Sequence, residues 1–250
     1  MIRARAEAAR STRSAAARVN KIMTSRQLAA LIDHTFLKAA GESDAIDLLC
    51  AEARKYGFAC AMVNPAEVAR AAALLDGSDV RVGTVVGFPL GQNTVRTKCA
   101  EAVEMVEAGA TDIDYVLNIR DLRSKTSDAV LEDLMLLNLA PKKVCDDVVT
   151  KLIIECCYLT DDEKVLACRL AKKAGFDFVK TSTGFGPGGA TPEDVALMRR
   201  TVGKSMGVKA AGGIRTLEDA MKMIEAGANR LGCSAGVSIV EALGGSSLRR

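Results

Sequence analysis

The chain predicts a single-domain (β/α)8 TIM barrel, and three observations predict it. Short β-branched runs alternate eight times with amphipathic helical stretches. The length, 250 residues, is the usual size of such a barrel. No GxGxxG turn follows the first strand candidate, as an open, dinucleotide-binding sheet would want. Strand–helix alternation demands parallel strands with right-handed crossovers, and eight units of this length close more readily than they stay open.

Residues 1–22 form an Ala/Arg/Ser-rich, acid-poor extension that reads as an organellar transit peptide or a basic arm, with the barrel domain expected over 23–250. The first strand is expected at Leu31–His34 and its helix at Ser43–Tyr56, with Ser43 as a capping residue and Gly57 as the stop. Ala59–Val63 and Pro65–Leu75 form the second unit, Val80–Val86 and Thr94–Ala108 the third, the latter ending at Gly109. Asp112–Leu117 alternates acidic and apolar residues ahead of the helix Ser127–Leu139. Lys151–Glu155 leads to Asp161–Ala174, which stops at Gly175. Phe178–Lys180 precedes Thr191–Val202, whose Thr191-Pro192-Glu193-Asp194 start places proline at the first helical position. Gly207–Ala210 and Thr216–Ala226 follow, ending at Gly227, and Arg230–Gly232 with Val237–Leu243 close the series.

Composition removes several function classes. An apolar content of 49% supports a large core, yet no run reaches the 18 or so apolar residues of a membrane span. Aromatics are 4% with no Trp, so the chain has no stacking platform for single-stranded nucleic acid. The net charge of +3 is uneven: residues 1–26 carry +6 and leave −3 for the remainder, which is not a nucleic-acid-binding profile. Eight cysteines without a CxxC pair and without a secretory h-region read as free thiols in a reducing, cytoplasmic compartment, the transit-peptide reading making it organellar instead. His34 is the only histidine, which excludes a multi-histidine zinc site and, unless His34 supplies it, a Ser-His-Asp triad. No metal and no cofactor are expected.

Carboxylates, lysines, thiols and hydroxyls remain. Barrel active sites lie at the C-terminal strand ends, where His34, Asn64, Phe88, Asp114, Asn118, Glu155, Lys180 and Lys209, or the loops after them, face one mouth. Lys180 and Lys209 each lie in a short apolar run followed by glycine and hydroxyl residues. Lysine is rarely buried without a reason. On neighbouring strands about 4.8 Å apart, two ammonium groups repel by about 3 kcal/mol at an effective dielectric near 20, enough to lower one pKa by about two units. A neutral amine attacks a carbonyl and gives an imine, an electron sink for breaking the neighbouring carbon–carbon bond. Asp112 and Asp114 share a face, and Asp114, further along the strand, is the candidate proton relay. Asp33 is a second relay candidate, while His34 reads equally as structural or catalytic.

A phosphate site is expected beside this chemistry. Gly212-Gly213 follows the seventh strand and Gly232-Cys233-Ser234-Ala235-Gly236 the eighth, ahead of a short helix whose N-terminal amides suit an anion. Gly184-Phe185-Gly186-Pro187-Gly188-Gly189 after the sixth strand adds a third, flexible edge, and Thr183 and Gly184 at its start are candidate binding residues.

The segments Ile32-Asp33-His34-Thr35-Phe36-Leu37-Lys38, Val63-Asn64-Pro65, Val85 through Gly91, Thr97-Lys98 with Glu101-Ala102, and Gly109 through Ile119 resemble the deoxyribose-phosphate aldolases in order. So do Ile153-Ile154-Glu155, Phe178 through Gly184, Lys209 through Thr216 and Arg230-Leu231-Gly232. The resemblance implies reversible cleavage of 2-deoxy-D-ribose 5-phosphate to acetaldehyde and D-glyceraldehyde 3-phosphate. It makes Lys180 the imine-forming residue, Lys209 its perturbing neighbour and Asp114 the proton relay. The phosphorylated sugar is the expected partner, with a homodimer the expected assembly. Ala235 stands where the family usually has serine, Arg120 where it has glycine and Ala39 where it has proline, and Gly244–Arg250 lacks the terminal tyrosine of some members. Two other readings stay open: a lysine-imine aldolase for a different phosphorylated aldehyde, and a binding scaffold that kept the barrel.

Overall fold

The computed structural model describes residues 23–247. Strands β1 (Ile32–Phe36), β2 (Cys60–Val63), β3 (Arg81–Val86), β4 (Asp112–Val116), β5 (Val149–Ile153), β6 (Phe178–Lys180), β7 (Gly207–Ala211) and β8 (Arg230–Cys233) pair in chain order. All pairs are parallel and β8 closes on β1, so the expected eight-stranded barrel is the fold. The extension over residues 1–22 and the tail 248–250 lie outside the described residues.

Helices α2 (Ala45–Tyr56), α3 (Val68–Leu75), α4 (Val95–Glu107), α6 (Ser127–Lys142), α7 (Asp161–Lys173), α8 (Pro192–Val202) and α9 (Leu217–Glu225) make the crossovers, and α10 (Gly236–Ser247) follows β8. Two short helices were not foreseen, α1 (Ser25–Ala29) and α5 (Ile119–Ser124). Each is about one turn long and buries at most two side chains, too little for a helical period to show. Thr191 caps α8 through the Asp194 amide with Pro192 at the first turn, as read. Ser43 does not cap α2; Asp44 occupies that position and makes no side-chain capping bond. Gly57 ends α2 in the left-handed conformation that side chains resist, φ 67°.

Two apolar layers result from the two-residue strand period. Ile113 and Tyr115 face the helices, with Tyr115 edge-on to Phe176. Inside, Cys60, Met62, Val85 and Leu37 form a separate apolar cluster on the β1–β3 side. Inward glycines make room for large neighbours: a Cβ on Gly207 would sit 2.1 Å from the Phe178 ring, and one on Gly83 would sit 2.6 Å from Met62. The opposite side of the interior, β4 to β8, is filled with charge.

Candidate active site

Register places the charges in a column. Asp114 lies beside Lys151, Lys180 beside Lys209, and Lys209 beside Arg230 on adjacent strands. One carboxylate oxygen of Asp114 accepts hydrogen bonds from both Lys180 (2.8 Å) and Lys209 (2.7 Å), and its other oxygen lies 3.2 Å from Lys151 Nζ. Below them, Asp33 contacts Lys209 at 2.5 Å and Arg230 at 2.8 Å, while Asp112 pairs with Lys151 and Arg81. Asp33, Asp112, Asp114, Lys151, Lys180 and Lys209 are all buried. An isolated buried charge is very costly, so pairing is what makes this column tolerable.

The titration order follows from that geometry. Burial lowers Lys180 most, Asp114 pulls it back up, and Lys209 pushes it down again, leaving an amine at about 8. Repulsion by Lys209 therefore contributes, but desolvation is the larger cause of the depression foreseen from the lysine pair. Lys209 goes the other way: burial opposes its charge, but Asp114 and Asp33 hold it above the ordinary lysine range. Lys151 is likewise held up by Asp112, Asp114 and Asp33 against burial. Burial opposes the Asp114 charge, yet Lys151, Lys180 and Lys209 keep its carboxyl well below the usual range. Among these three interior lysines, only Lys180 is poised to lose its proton near neutrality.

Above Lys180 opens a cavity of about 240 Å³. Lys180, Thr183, Gly184, Gly212, Gly213, Gly232 and Ser234 all line it, so the catalytic lysine candidate and every candidate for the phosphate cradle meet at one mouth. Gly184, Gly212 and Gly213 have φ of 85°, 86° and 81°, conformations that aim backbone amides in ways side-chain-bearing residues resist. Gly212 also packs so closely on the β6 loop that its carbonyl accepts the Ala190 amide at 3.0 Å. Asp114, Asp33 and Lys209 do not line the cavity; they form the charged floor beneath Lys180.

A family model described as DeoC/LacD family aldolase matches residues 27–242. The chain belongs to the DeoC/LacD aldolase family. The deoxyribose-phosphate aldolase of Thermoanaerobacter sp. (strain X514) is 57% identical over 214 residues, covering 86% of this chain and 96% of that protein. That of Bacteroides thetaiotaomicron is 54% identical over 221 residues, covering 86% and 90%. Among solved structures, the tetrameric deoxyribose phosphate aldolase of Aeropyrum pernix aligns with a TM-score of 0.80 at 34% identity, covering 88% of this chain and 92% of that one.

The structure corrects the sequence reading at some residues of this aldolase and extends it at others. His34 does not face the mouth: its Nε2 lies 2.7 Å from Glu52 of α2 and its ring packs on Phe58, among the outer helices. Period two explains this, because Asp33 takes the inward position and His34 must point out. Lys151 and Arg230 carry much of the floor and were not singled out as site residues. Glu155, at the end of β5, holds the left-handed φ of 54° without being glycine, and its carboxylate accepts the Thr183 amide and hydroxyl, the latter at 2.5 Å. Thr183 thus spends its donors on Glu155 and shapes the loop. Ser182, inward and fully buried, keeps a hydroxyl with no protein partner. Arg120 lines a neighbouring cavity of about 520 Å³ and not the one above Lys180.

Donor chemistry argues against a metal in the floor. Potential ligand atoms of Asp33, Cys60 and Asp112 lie within 4.8 Å of one another. The two carboxylates are already neutralised by Lys209, Arg230, Lys151 and Arg81, and burial keeps the Cys60 thiol protonated well above its ordinary range.

Proposed function

We propose that the chain is a class I aldolase that reversibly cleaves 2-deoxy-D-ribose 5-phosphate to acetaldehyde and D-glyceraldehyde 3-phosphate through an imine on Lys180. The observation that carries this is the amine itself: a buried lysine at a cavity floor, held near a pKa of 8 and 2.8 Å from a carboxylate. Neutral Lys180 adds to the sugar's aldehyde carbon, and loss of water gives the protonated imine. Removal of the proton from the substrate's C3 hydroxyl then drives the C2–C3 electron pair into the imine. D-Glyceraldehyde 3-phosphate leaves, and the resulting enamine is protonated at C2 and hydrolysed to acetaldehyde and free amine.

Asp114 is the proton carrier in this scheme, because its shared oxygen touches Lys180 and Lys209 together. Lys209 and Lys151 keep that carboxylate ionised, and Asp33 and Arg230 hold Lys209 in place. The phosphate sits at the rim on the amides of Gly212, Gly213 and Ser234 and on the N-terminus of α10, with Gly184 and Gly232 allowing close approach. The family, the eight free cysteines and the phosphorylated substrate together support a cytoplasmic enzyme, and a homodimer is its proposed assembly.

Borohydride reduction in the presence of acetaldehyde tests the assignment. Peptide mapping is expected to find the ethyl label on Lys180, with Lys180→Met unlabelled, inactive and folded. Label on Lys209 or Lys151 would reverse it.

A further inference from the structure

A second cavity opens at the C-terminal ends of β3, β4 and β5. It encloses about 520 Å³ between the β3–α4 loop, α5 and the 3₁₀ turn Cys156–Tyr158, and it shares no lining residue with the cavity above Lys180. Its walls are fastened by hydrogen bonds. The Lys98 ammonium donates to the carbonyls of Gly91 and Val116, which ties the β3–α4 loop to the end of β4. The Gln92 side chain donates to the Asn118 carbonyl oxygen, which also accepts the Asp121 amide and so caps α5. A preformed cavity of this volume is the usual size of a small-molecule site.

The lining defines what fits. Pro89, Leu90, Val116, Ile119 and the Tyr158 ring supply its apolar surface, and Leu90 and Tyr158 are 75% and 51% exposed. Among the described residues that line it, Glu155 is the one acid, and its carboxylate is engaged by Thr183. Arg123 is engaged as well, by Glu163 and the Tyr158 carbonyl. The Arg120 guanidinium and the Tyr158 hydroxyl have no partner among the described residues. Two arginines thus face one carboxylate, and one guanidinium is free to pair. A guanidinium fork matches a phosphate, sulfonate or carboxylate, while the ring and aliphatic side chains match a flat apolar body. Deoxyribose phosphate and inorganic phosphate have no such body, so neither accounts for these walls.

We propose that this cavity is a second ligand site for a small organic anion with an aromatic or apolar body, and that its occupancy is felt above Lys180 through Glu155. Glu155 belongs to both sides. It lines the second cavity, while its carboxylate holds the amide and hydroxyl of Thr183, which lines the first. Its carbonyl also accepts the Tyr158 amide at 3.1 Å and so anchors the turn that presents the ring. A ligand stacked on Tyr158 and paired with Arg120 therefore bears on the turn that sets Thr183. By linkage, substrate bound above Lys180 changes the affinity of the second site by the same factor.

The test is fluorescence titration of the full chain with anilinonaphthalene sulfonate, an aromatic anion, with circular dichroism confirming that each variant is folded. Saturable binding is expected, and Arg120→Ala and Tyr158→Ser should each weaken it roughly tenfold or more. Inorganic sulfate at the same concentration should not displace the probe, and the uncharged phenylnaphthylamine should bind roughly tenfold more weakly. Displacement by sulfate, equal binding of the uncharged probe, or a titration unmoved by both substitutions overturns the site. The kinetic arm rests on the aldolase reading: saturating probe should shift KM for deoxyribose 5-phosphate about fivefold in the wild type and not in Arg120→Ala. A bound probe with an unmoved KM overturns the coupling through Glu155. A shift that persists in Arg120→Ala places the probe above Lys180 and overturns the proposal. A chain that binds the probe through Arg120 yet cleaves no deoxyribose 5-phosphate fails the aldolase reading and leaves the site standing.

Discussion

The reactivity proposed for Lys180 rests on a balance in which three effects of different sign meet. Burial and Lys209 disfavour its charge, Asp114 favours it, and the result is an amine at about 8. An amine is nucleophilic only when neutral, so imine formation is expected to rise with pH through about 8 and level above it, read as single-turnover trapping against pH. Lys209→Met changes two things at once. It removes a neighbouring cation, and it leaves the Asp114 oxygen that the two lysines share to Lys180 alone. Both favour the charged amine, so the Lys180 pKa rises and the rising limb moves to higher pH. Each unit of displacement costs roughly tenfold in rate on the low-pH side. An unmoved limb would show that the two amines are electrostatically independent. The same residues show what a sequence reveals. Lys180 and Lys209 stood out because glycine and hydroxyl loops follow them. Lys151, in Thr150-Lys151-Leu152, looks like any lysine entering a strand from solvent, and only strand register sets it against Asp114. Arg230 was hidden for the same reason. Parallel pairing between Asp114 and Lys151, on separate strands, is not a local property.

Elements reach the chemistry through the loops they hold. The β3–α4 loop is fastened by Lys98, buried in α4, whose ammonium donates to the carbonyls of Gly91 (2.8 Å) and Val116 (2.7 Å). Burial lowers this lysine too, to about 8, because it has carbonyls and no carboxylate in direct contact. Lys98→Met is expected to leave both carbonyls without that donor and to cost about 1–3 kcal/mol in urea unfolding. A loss below the error of that measurement would mean water replaces the amine. At the opposite rim, Ser234 follows β8 two residues before α10 begins, and in the proposed scheme its hydroxyl, beside its amide, holds the remote phosphate and not the reacting carbon. Ser234→Ala should raise KM for deoxyribose 5-phosphate about tenfold, from loss of one bond to a charged acceptor, and leave KM for unphosphorylated deoxyribose nearly unchanged. Equal effects on both substrates would place the phosphate elsewhere. The strand–helix order and the Gly-rich rim were legible because period, caps and glycines are local signals. Helix α5 and the Glu155–Thr183 clamp were not, because one turn of helix and a contact between two loops leave no period to read.

At the scale of the whole barrel, the interior column trades burial against charge, and acid should upset that balance. Asp33 is fully buried, which alone would raise its pKa, yet Lys209, Lys151 and Arg230 bring it down to about 2 from 3.8. Asp114 is shifted further in the same direction by Lys151, Lys180 and Lys209. A carboxylate whose folded pKa is depressed binds fewer protons folded than unfolded. Its stabilisation is fully present above the unfolded value and is lost as pH falls through the folded one. For Asp33 that window runs from about 4 down to about 2, and the loss is on the order of 2 kcal/mol. Protonation would also leave Lys209, Arg230 and Lys151 buried with fewer counter-charges, so the floor should fail cooperatively and not one pair at a time. Unfolding free energies measured in urea at neutral pH, at pH 4 and at pH 3 should be similar for the first two and clearly lower for the third. Asp33→Asn should lower stability already at neutral pH, since it removes the charge but keeps the shape, and should flatten the acid dependence. Equal acid sensitivity in Asp33→Asn and wild type would show that surface carboxylates, not this buried column, govern the acid limit of the fold.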